Sequence, residues 1–469
     1  MTNRYLSLLW KIRIEVGIAV SILLGIFLRL FKIDRQSLWG DEFFSVYASS
    51  LTEWSDFWSY IDNDPHPPLF QILLSLWIKF LPSFTEIGVK IFPVIISILN
   101  LILIFLLTKH WESLKRFLFI FFLSLSPGAI YYSQEVRSYS LLLCLTSVIV
   151  VLIHNLEYNK AKVSNWVFIG LLSVLTSYVH LFGFIFVSSL FFVYWLLSFR
   201  NRDQYAVRFF TLGILTSITF LPFIFHLAQS AKIETASWID SPNLVLFLTY
   251  YTLFYATSKK IFIFTMVIPI SVFTYWVIKV IRNLRERTEH FFFSNSTNFL
   301  LVAAFIIFST LLFSFYKPIV TNRNWIVTLP LLYLFAADQM KGKFENKYLV
   351  ILFFLISLLS LFEFKKNFYT SFKEDWRGTA KYISSNCAKP IVLTDSFPEF
   401  LSVYLRWNHS EGFQPLILRE SVTISQSNIC VVNRQIGGNG LHFSSNPNFV
   451  KVKDTILYGF TIEEYEKNK

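Results

Sequence analysis

A chain of 469 residues that is 54% hydrophobic, holds 53 phenylalanines and is only 15% charged carries more apolar mass than a water-soluble core can hide. A soluble protein is excluded, and a polytopic membrane protein is the class that remains. The formal charge of +12 reads as basic cytoplasmic loops and not as a nucleic-acid footprint if Lys and Arg sort to one membrane side.

The first apolar run, Ile14–Phe31, follows Arg4, Lys11 and Arg13. It is long for a signal-peptide core and has no small-x-small cleavage site, so 13–31 is expected to be a retained span. The loop 32–87 comes next and contains SLWGDEFFSVYAS (37–49), in which Asp41 and Glu42 are boxed in by Trp39, Phe43, Phe44 and Tyr47. If Phe43, Phe44 and Tyr47 anchor an interfacial helix, the acids sit at its start, where a helix favours negative charge. Asp41 is then a helix cap, with Glu42 solvated, or a general base for a hydroxyl at the water edge. The pair is also a candidate ligand set for a divalent cation, Mg or Mn. In DNDPHPPLF, Pro65, Pro67 and Pro68 stiffen the chain and fix the entry to the next helix, which leaves Asp64 and His66 unexplained. The segment 68–82, bounded by prolines, has about 15 residues where a span needs about 20. It is expected to lie in the interface.

Further spans are expected at 88–108, with Lys90 at its start, and at 115–130, 138–156, 165–180, 181–198, 207–226, 259–281, 298–316, 324–339 and 347–364. The run 243–257 is a second interfacial candidate. With 68–82 lying flat, about eleven spans remain, and every connection on one side is basic: Arg4 to Arg13, Lys109 to Arg116, Lys160 and Lys162, Arg200 to Arg208, Lys279 to Arg287, and Lys341 to Lys347. The N-terminus is thereby placed in the cytoplasm and loop 32–87 outside, and the nucleic-acid reading falls.

On that outer side the span mouths collect polar residues. YYSQEVRSYSL supplies Gln134, Glu135, Arg137 and Tyr139; SYVHLFG supplies His180; FYKPIVTNRNW supplies Lys317 and Arg323. Each has a plain reading as an internal ion pair, a lipid head-group anchor or a satisfied interfacial histidine. Ionisable groups at membrane depth also mark functional sites.

Residues 365–469 change character. PIVLTD and NICVVNR read as short strands, WRGTAKYISSN and SFPEFLSVYLRW as helices. The expected architecture is therefore an all-α membrane region, 1–364, with a small α/β domain, 365–469, on the outer side. Cys387 and Cys430 can pair if that domain lies outside the cytoplasm; the three cysteines show neither metal-ligand nor redox spacing.

The ordered set of an acidic pair in the first outer loop, HPPL, and SQEVRSYSL resembles the bacterial glycosyltransferase family 39, the protein mannosyltransferase-like enzymes. These belong to the C-type fold of polyprenyl-phosphate-sugar-dependent transferases, which includes the aminoarabinose transferase of lipid A. The resemblance is strongest over about residues 15–200 and continues weakly through TNRNWIV and EDWRGTAKYI. It implies that Asp41 and Glu42 are the base and its partner or metal ligand, that His66 is the HPP histidine, and that Gln134, Glu135, Arg137 and Tyr139 line the active centre. Two positions depart from the pattern: Lys90 stands where the family usually has Arg, and Arg323 is followed by Asn-Trp.

The implied reaction moves a sugar from a polyprenyl-phosphate donor to a lipid, glycan or protein acceptor at the outer face of the plasma membrane, with no nucleotide cofactor. Its leaving phosphate calls for positive charge from Arg323, Lys317, Arg137 or Lys90, or for a divalent cation. One base, an anionic leaving group and no covalent nucleophile point to inversion. A lipid-linked-sugar flippase or transporter, and an oligosaccharide ligase using a lipid diphosphate, are the alternatives; no internal repeat supports the transporter.

Overall fold

The computed structural model describes chiefly residues 2–62, 64–156, 162–230 and 296–339, and most of 368–468. The expected spans 259–281 and 347–364, the interfacial run 243–257, the basic connections at Lys160, Lys279–Arg287 and Lys341–Lys347, and the domain boundary at 364 lie outside the described residues.

Helix α1 (Thr2–Leu30) carries the first apolar run, and the loop behind it folds into α2 (Gly40–Ser50), α3 (Trp54–Ile61) and α4 (Leu69–Phe80). Twelve residues make α4 roughly 18 Å long, against a hydrocarbon core of about 30 Å. It cannot cross, in keeping with its proline-bounded length. Then follow α5 (Glu86–Leu107), α6 (Ser113–Leu125), α7 (Pro127–Ser133), α8 (Tyr139–His154), α9 (Val163–Val179), α10 (Leu181–Arg200) and α11 (Ala206–Ser230). Helix α12 (Ser296–Tyr316), a 3-10 helix at Asn322–Thr328 and α13 (Leu329–Gln339) complete the described bundle. Among the described residues, α5, α10, α11 and α12 are long and apolar enough to cross a membrane, and α6 and α7 pass the same test when the bent pair is taken together. The chain is a multi-span membrane protein.

The expected continuous span at 115–130 is instead broken, bending by 48° between α6 and α7. Pro127 has no N–H to continue the ladder, and it forces Ser126 into an extended conformation. The carbonyls freed by the break need donors in a place without water. Arg29, fully buried on α1, supplies them: its guanidinium donates to Ser124 O at 2.7 Å and Leu123 O at 3.1 Å, and also to Gly25 O and Ser97 Oγ.

At the opposite end the basic connections gather. Arg116 pairs with Glu15 of α1 at 2.8 Å, and Lys115 bridges Asp338 of α13 and His154 of α8, both at 2.8 Å. Arg208 lies over Trp166, 5.4 Å from the ring centroid.

The C-terminal region is the expected α/β unit, with more strands than the sequence showed. Helix α14 (Trp376–Asn386), β1 (Ile391–Thr394), α15 (Pro398–Trp407), β2 (Gln414–Ile417), β3 (Asn428–Arg434), β4 (Phe449–Leu457) and β5 (Phe460–Lys467) form a sheet of order β2-β1-β3-β5-β4. β1 runs parallel to β2 and β3, whereas β4 and β5 form an antiparallel hairpin turning at Gly459, whose φ of +88° favours glycine. Cys387 and Cys430 form a disulfide. β4 is exposed at most of its positions, and the run Lys453-Asp454-Thr455 interrupts its alternation, which hid it as a strand.

This unit does not stand apart. Trp376, Phe400, Tyr404, Phe460 and Ile462 share one buried core with Leu38, Phe43 and Val46 of the first loop, Phe70 and Leu74 of α4, and Val136. Phe43 is fully buried, stacked on Phe400 at 4.9 Å and edge-on to Trp376 and Tyr404. Its expected role as a membrane anchor gives way to docking the C-terminal domain onto the Asp41 loop. Phe44 and Tyr47 likewise pack on Tyr60 of α3.

Candidate active site

Helix α2 begins with its acids in the first turn, and the two side chains part company. Glu42 is fully buried. One carboxylate oxygen reaches back to accept the N–H of Trp39 at 3.2 Å, which caps the helix. The other accepts the N–H of Val136 at 2.8 Å, and Lys373 Nζ sits 2.7 Å from the first. Asp41 is one-third exposed and pairs with Arg323 at 2.9 Å. The cap is therefore Glu42, and the acid left facing outward is Asp41.

Arg137 closes the other side of this turn. It donates to the Asp41 carbonyl and to Ser45 Oγ, each at 3.1 Å, and its Nε is buried without a partner among the described residues. Arg323, on the first turn of the 3-10 helix, also lies over Trp39 and Tyr139 at 5.3 and 5.9 Å. Burial disfavours its charge, but Tyr139, Asp41 and Glu135 outweigh that and raise its pKa.

Beneath the ion pair, Tyr139 of α8 is buried 5.9 Å from the His180 ring, and His180 stacks on His66 at 4.1 Å. His180 sits between α9 and α10, where its Nδ1 accepts the Phe182 N–H at 3.1 Å and so caps α10. With Nδ1 accepting, the proton is on Nε2, which is buried and has no partner among the described residues. His66 Nδ1 is likewise buried and unmatched. Burial, then Arg137 and Arg323, push the His66 pKa down to about 3, so the ring is neutral at working pH. Two neutral imidazoles with open ring nitrogens beside two guanidiniums suit a polar, anionic ligand with hydroxyl groups.

Asp64 is buried below them, accepting the His66 N–H at 2.9 Å and Gln71 Nε2 at 3.2 Å. Burial, against the pull of Arg137, pushes its pKa up from 3.8 to about 6. A carboxyl raised in the fold binds its proton more tightly there than in the unfolded chain. It stabilises the fold fully below about pH 4, and that stability, about 2–3 kcal/mol, is lost as pH rises through 6. Asp64→Asn keeps an oxygen for His66, and Gln71, whose Oε1 is unmatched, can turn its amide to accept the new N–H. We expect Asp64→Asn to melt higher than the unmodified protein in detergent at pH 7.5 and equally at pH 4; a constant gap across that range would remove the titration argument.

The remaining candidates lie differently. Glu135 faces inward, 3.4 Å from Lys373 and hydrogen-bonded to Tyr131. Gln134 spends its amide on the carbonyls of Arg29 and Phe31, both at 3.0 Å, at the end of α1. Lys90 is buried against Glu86 at 2.9 Å and donates to the Ile33 and Gln36 carbonyls, which holds the loop base rather than the Asp41 face. Lys317 is exposed after α12. Lys373 was not a sequence candidate. Neither was Arg377, which binds Glu86 through two bonds of 2.9 Å.

The acidic pair does not fit a divalent cation in this arrangement. Glu42 has both oxygens occupied by N–H donors and an ammonium, Asp41 is held by a guanidinium, and no cluster of three or more His, Cys, Asp or Glu residues suited to a metal exists among the described residues.

No sequence-family model matches the chain, and no curated protein matches it in sequence. Solved structures do. The chain superposes on ArnT from Cupriavidus metallidurans bound to undecaprenyl phosphate with a TM-score of 0.59 at 10% identity, covering 96% of this chain and 97% of that one. The apo state of ArnT gives 0.57 with the same identity and coverage. An oligosaccharyltransferase from Archaeoglobus fulgidus is more distantly alike, with a TM-score of 0.47 at 12% identity over 86% of this chain and 64% of that one. Nearly complete overlap in both directions means that the bundle, the folded first loop and the C-terminal unit together share the fold of that ArnT structure.

Proposed function

We propose that the chain transfers a sugar from a polyprenyl-phosphate carrier to an acceptor hydroxyl at the outer membrane face. One observation carries this reading: Asp41, Arg137 and Arg323, from three distant parts of the sequence, converge at one mouth of the bundle, above two neutral histidines. The shared fold supports it, since ArnT was crystallised with undecaprenyl phosphate. The site lies at the end away from Lys115, Arg116 and Arg208, which under the positive-inside rule is the outer side. The Cys387–Cys430 disulfide suits an oxidising compartment.

The donor is a phosphodiester with one negative charge, and it competes with Asp41 for Arg323. As the guanidinium moves to the phosphate, the Asp41 carboxylate is freed to accept the proton of the acceptor hydroxyl. The acceptor oxygen then bonds to the anomeric carbon as the carbon–phosphate oxygen bond breaks, and the electron pair leaves with the lipid phosphate. A single displacement of this kind inverts the anomeric centre. His180 Nε2–H and His66 are placed to hydrogen-bond sugar or phosphate oxygens.

Membrane vesicles loaded with polyprenyl phosphate carrying a radiolabelled sugar test the reading. Label leaving the lipid for a water-soluble, lipid or protein product, with inverted configuration, is the expected result. Intact lipid appearing in the opposite leaflet with no transfer would make the protein a flippase.

A further inference from the structure

Lys373 precedes α14 and is more than nine-tenths buried. Its ammonium lies 2.7 Å from Glu42 of α2 and 3.4 Å from Glu135 of the α7–α8 turn. It is therefore a single cation between two carboxylates, brought from 331 residues along the chain to the helix start that displays Asp41. The other charged or titratable groups facing the cluster are Tyr131 of α7, whose ring centroid is 5.9 Å from the ammonium, Tyr132 of α7, Tyr139 of α8, Lys90 of α5, and Arg323. Lys90 is already engaged by Glu86, and Arg323 by Asp41. We propose that Lys373 is a positioning residue for sugar transfer: by balancing Glu42 and Glu135 it holds the first turn of α2 against Val136, and so makes the geometry of Asp41 depend on the C-terminal domain being seated.

The argument is one of charge accounting in a dry place. Glu42 uses both oxygens to hold the helix start, one accepting the Trp39 N–H and the other the Val136 N–H. Two carboxylates that close cannot both stay ionised in the interior without a cation. Burial opposes the charge on Lys373, but Glu42 and Glu135 outweigh it and hold its pKa above the ordinary lysine value. Burial raises Glu135 in turn, so Glu135 is the member that takes up a proton first if the ammonium is removed. The same segment is fixed on either side: the Lys373 N–H meets Gln36 Oε1, Asp375 accepts from Ser37, and Arg377 grips Glu86. The domain that carries Lys373 thus reads out on the loop that carries the base.

This inference rests on the transferase reading for its activity arm, and its structural arm stands without it. Lys373→Met should lower kcat about 100-fold, the scale of a small misplacement of a reacting group, and its remaining activity should fall further as pH rises and Glu135 loses its proton beside Glu42. Lys373→Met/Glu135→Gln, which cannot ionise at position 135, should hold its activity across that rise, and Lys373→Arg should resemble the unmodified protein. Independently of turnover, infrared spectra of purified protein at neutral pH should show extra protonated-carboxyl absorption in Lys373→Met that the Glu135→Gln change removes. If the single and double variants are alike in activity, infrared signal and folded yield, Lys373 only fills space and the proposal is overturned. If the unmodified protein moves no sugar, the transferase reading fails while the infrared and yield comparison still decides the role of Lys373.

Discussion

Asp41→Asn should abolish sugar transfer, by about 10²–10⁴-fold, while the protein still inserts, folds and keeps its C-terminal domain docked. The magnitude is that of losing a positioned general base. The selectivity follows from exposure. Asp41 is one-third exposed and its contact with Arg323 is an ion pair at the water edge, where such pairs contribute on the order of 1 kcal/mol or less. Asn keeps one oxygen for the guanidinium and the same shape. The helix start itself hangs on Glu42, whose oxygens take the Trp39 and Val136 N–H groups, and that is untouched. Activity should therefore vanish at nearly constant melting temperature, read by labelled-donor turnover beside a thermal shift in detergent. Comparable turnover in Asp41→Asn would reduce Asp41 to an anchor for Arg323 and move the search for a base elsewhere. The contrasting variant is Glu42→Gln, which alters both a helix cap and a buried charge balance and should lose folded protein as well as activity.

The difference between these neighbours marks how far the sequence could be read. Local signals translated well. The proline-bounded 68–82 segment was too short to cross and forms α4; the acids fell at a helix start; α14 covers WRGTAKYISSN end to end. What the sequence could not show is which side chain turns inward. Asp41 and Glu42 are adjacent and chemically alike, yet one caps the helix, buried and paired with an ammonium, and the other faces the mouth. Phe43 beside a membrane reads as an anchor, and only the docking of Phe400 and Trp376 makes it a core residue. Gln134 shares a motif with Glu135 and Arg137, but its amide caps the end of α1. Lys373 carries no local signature, being one lysine in a polar stretch. Its meaning is set by a contact across most of the chain, and one sequence has no means of encoding that pairing visibly. The break at Ser126–Pro127 was legible in principle, because a proline inside an apolar run interrupts the helical hydrogen-bond ladder.

The second large effect is expected at Arg323. The donor diester carries one negative charge, and the departing lipid phosphate develops a second as the sugar–oxygen bond breaks. A cation at that oxygen therefore binds the transition state more tightly than the ground state, and removing it should depress kcat more than it raises KM. For Arg323→Met the loss in kcat should be about 10²–10³-fold, the range for one pre-organised donor to developing charge. Arg137 cannot stand in, because its Nη1 already holds the Asp41 carbonyl and Ser45 in the α2 turn. Arg323→Lys should fall between, since an ammonium restores charge but not the forked donor geometry that fits phosphate. Stability should change little: Asp41, released from its partner, is already open to water. Steady-state kinetics with a purified lipid-linked donor, fitted separately for kcat and KM, separates the outcomes. A rise in KM alone would make Arg323 a docking contact for the lipid phosphate with no share in its departure. No change in either constant would send the phosphate to Lys317, the exposed cation at the end of α12, and would leave the Asp41–Arg323 pair a structural link between the first loop and the 3-10 helix.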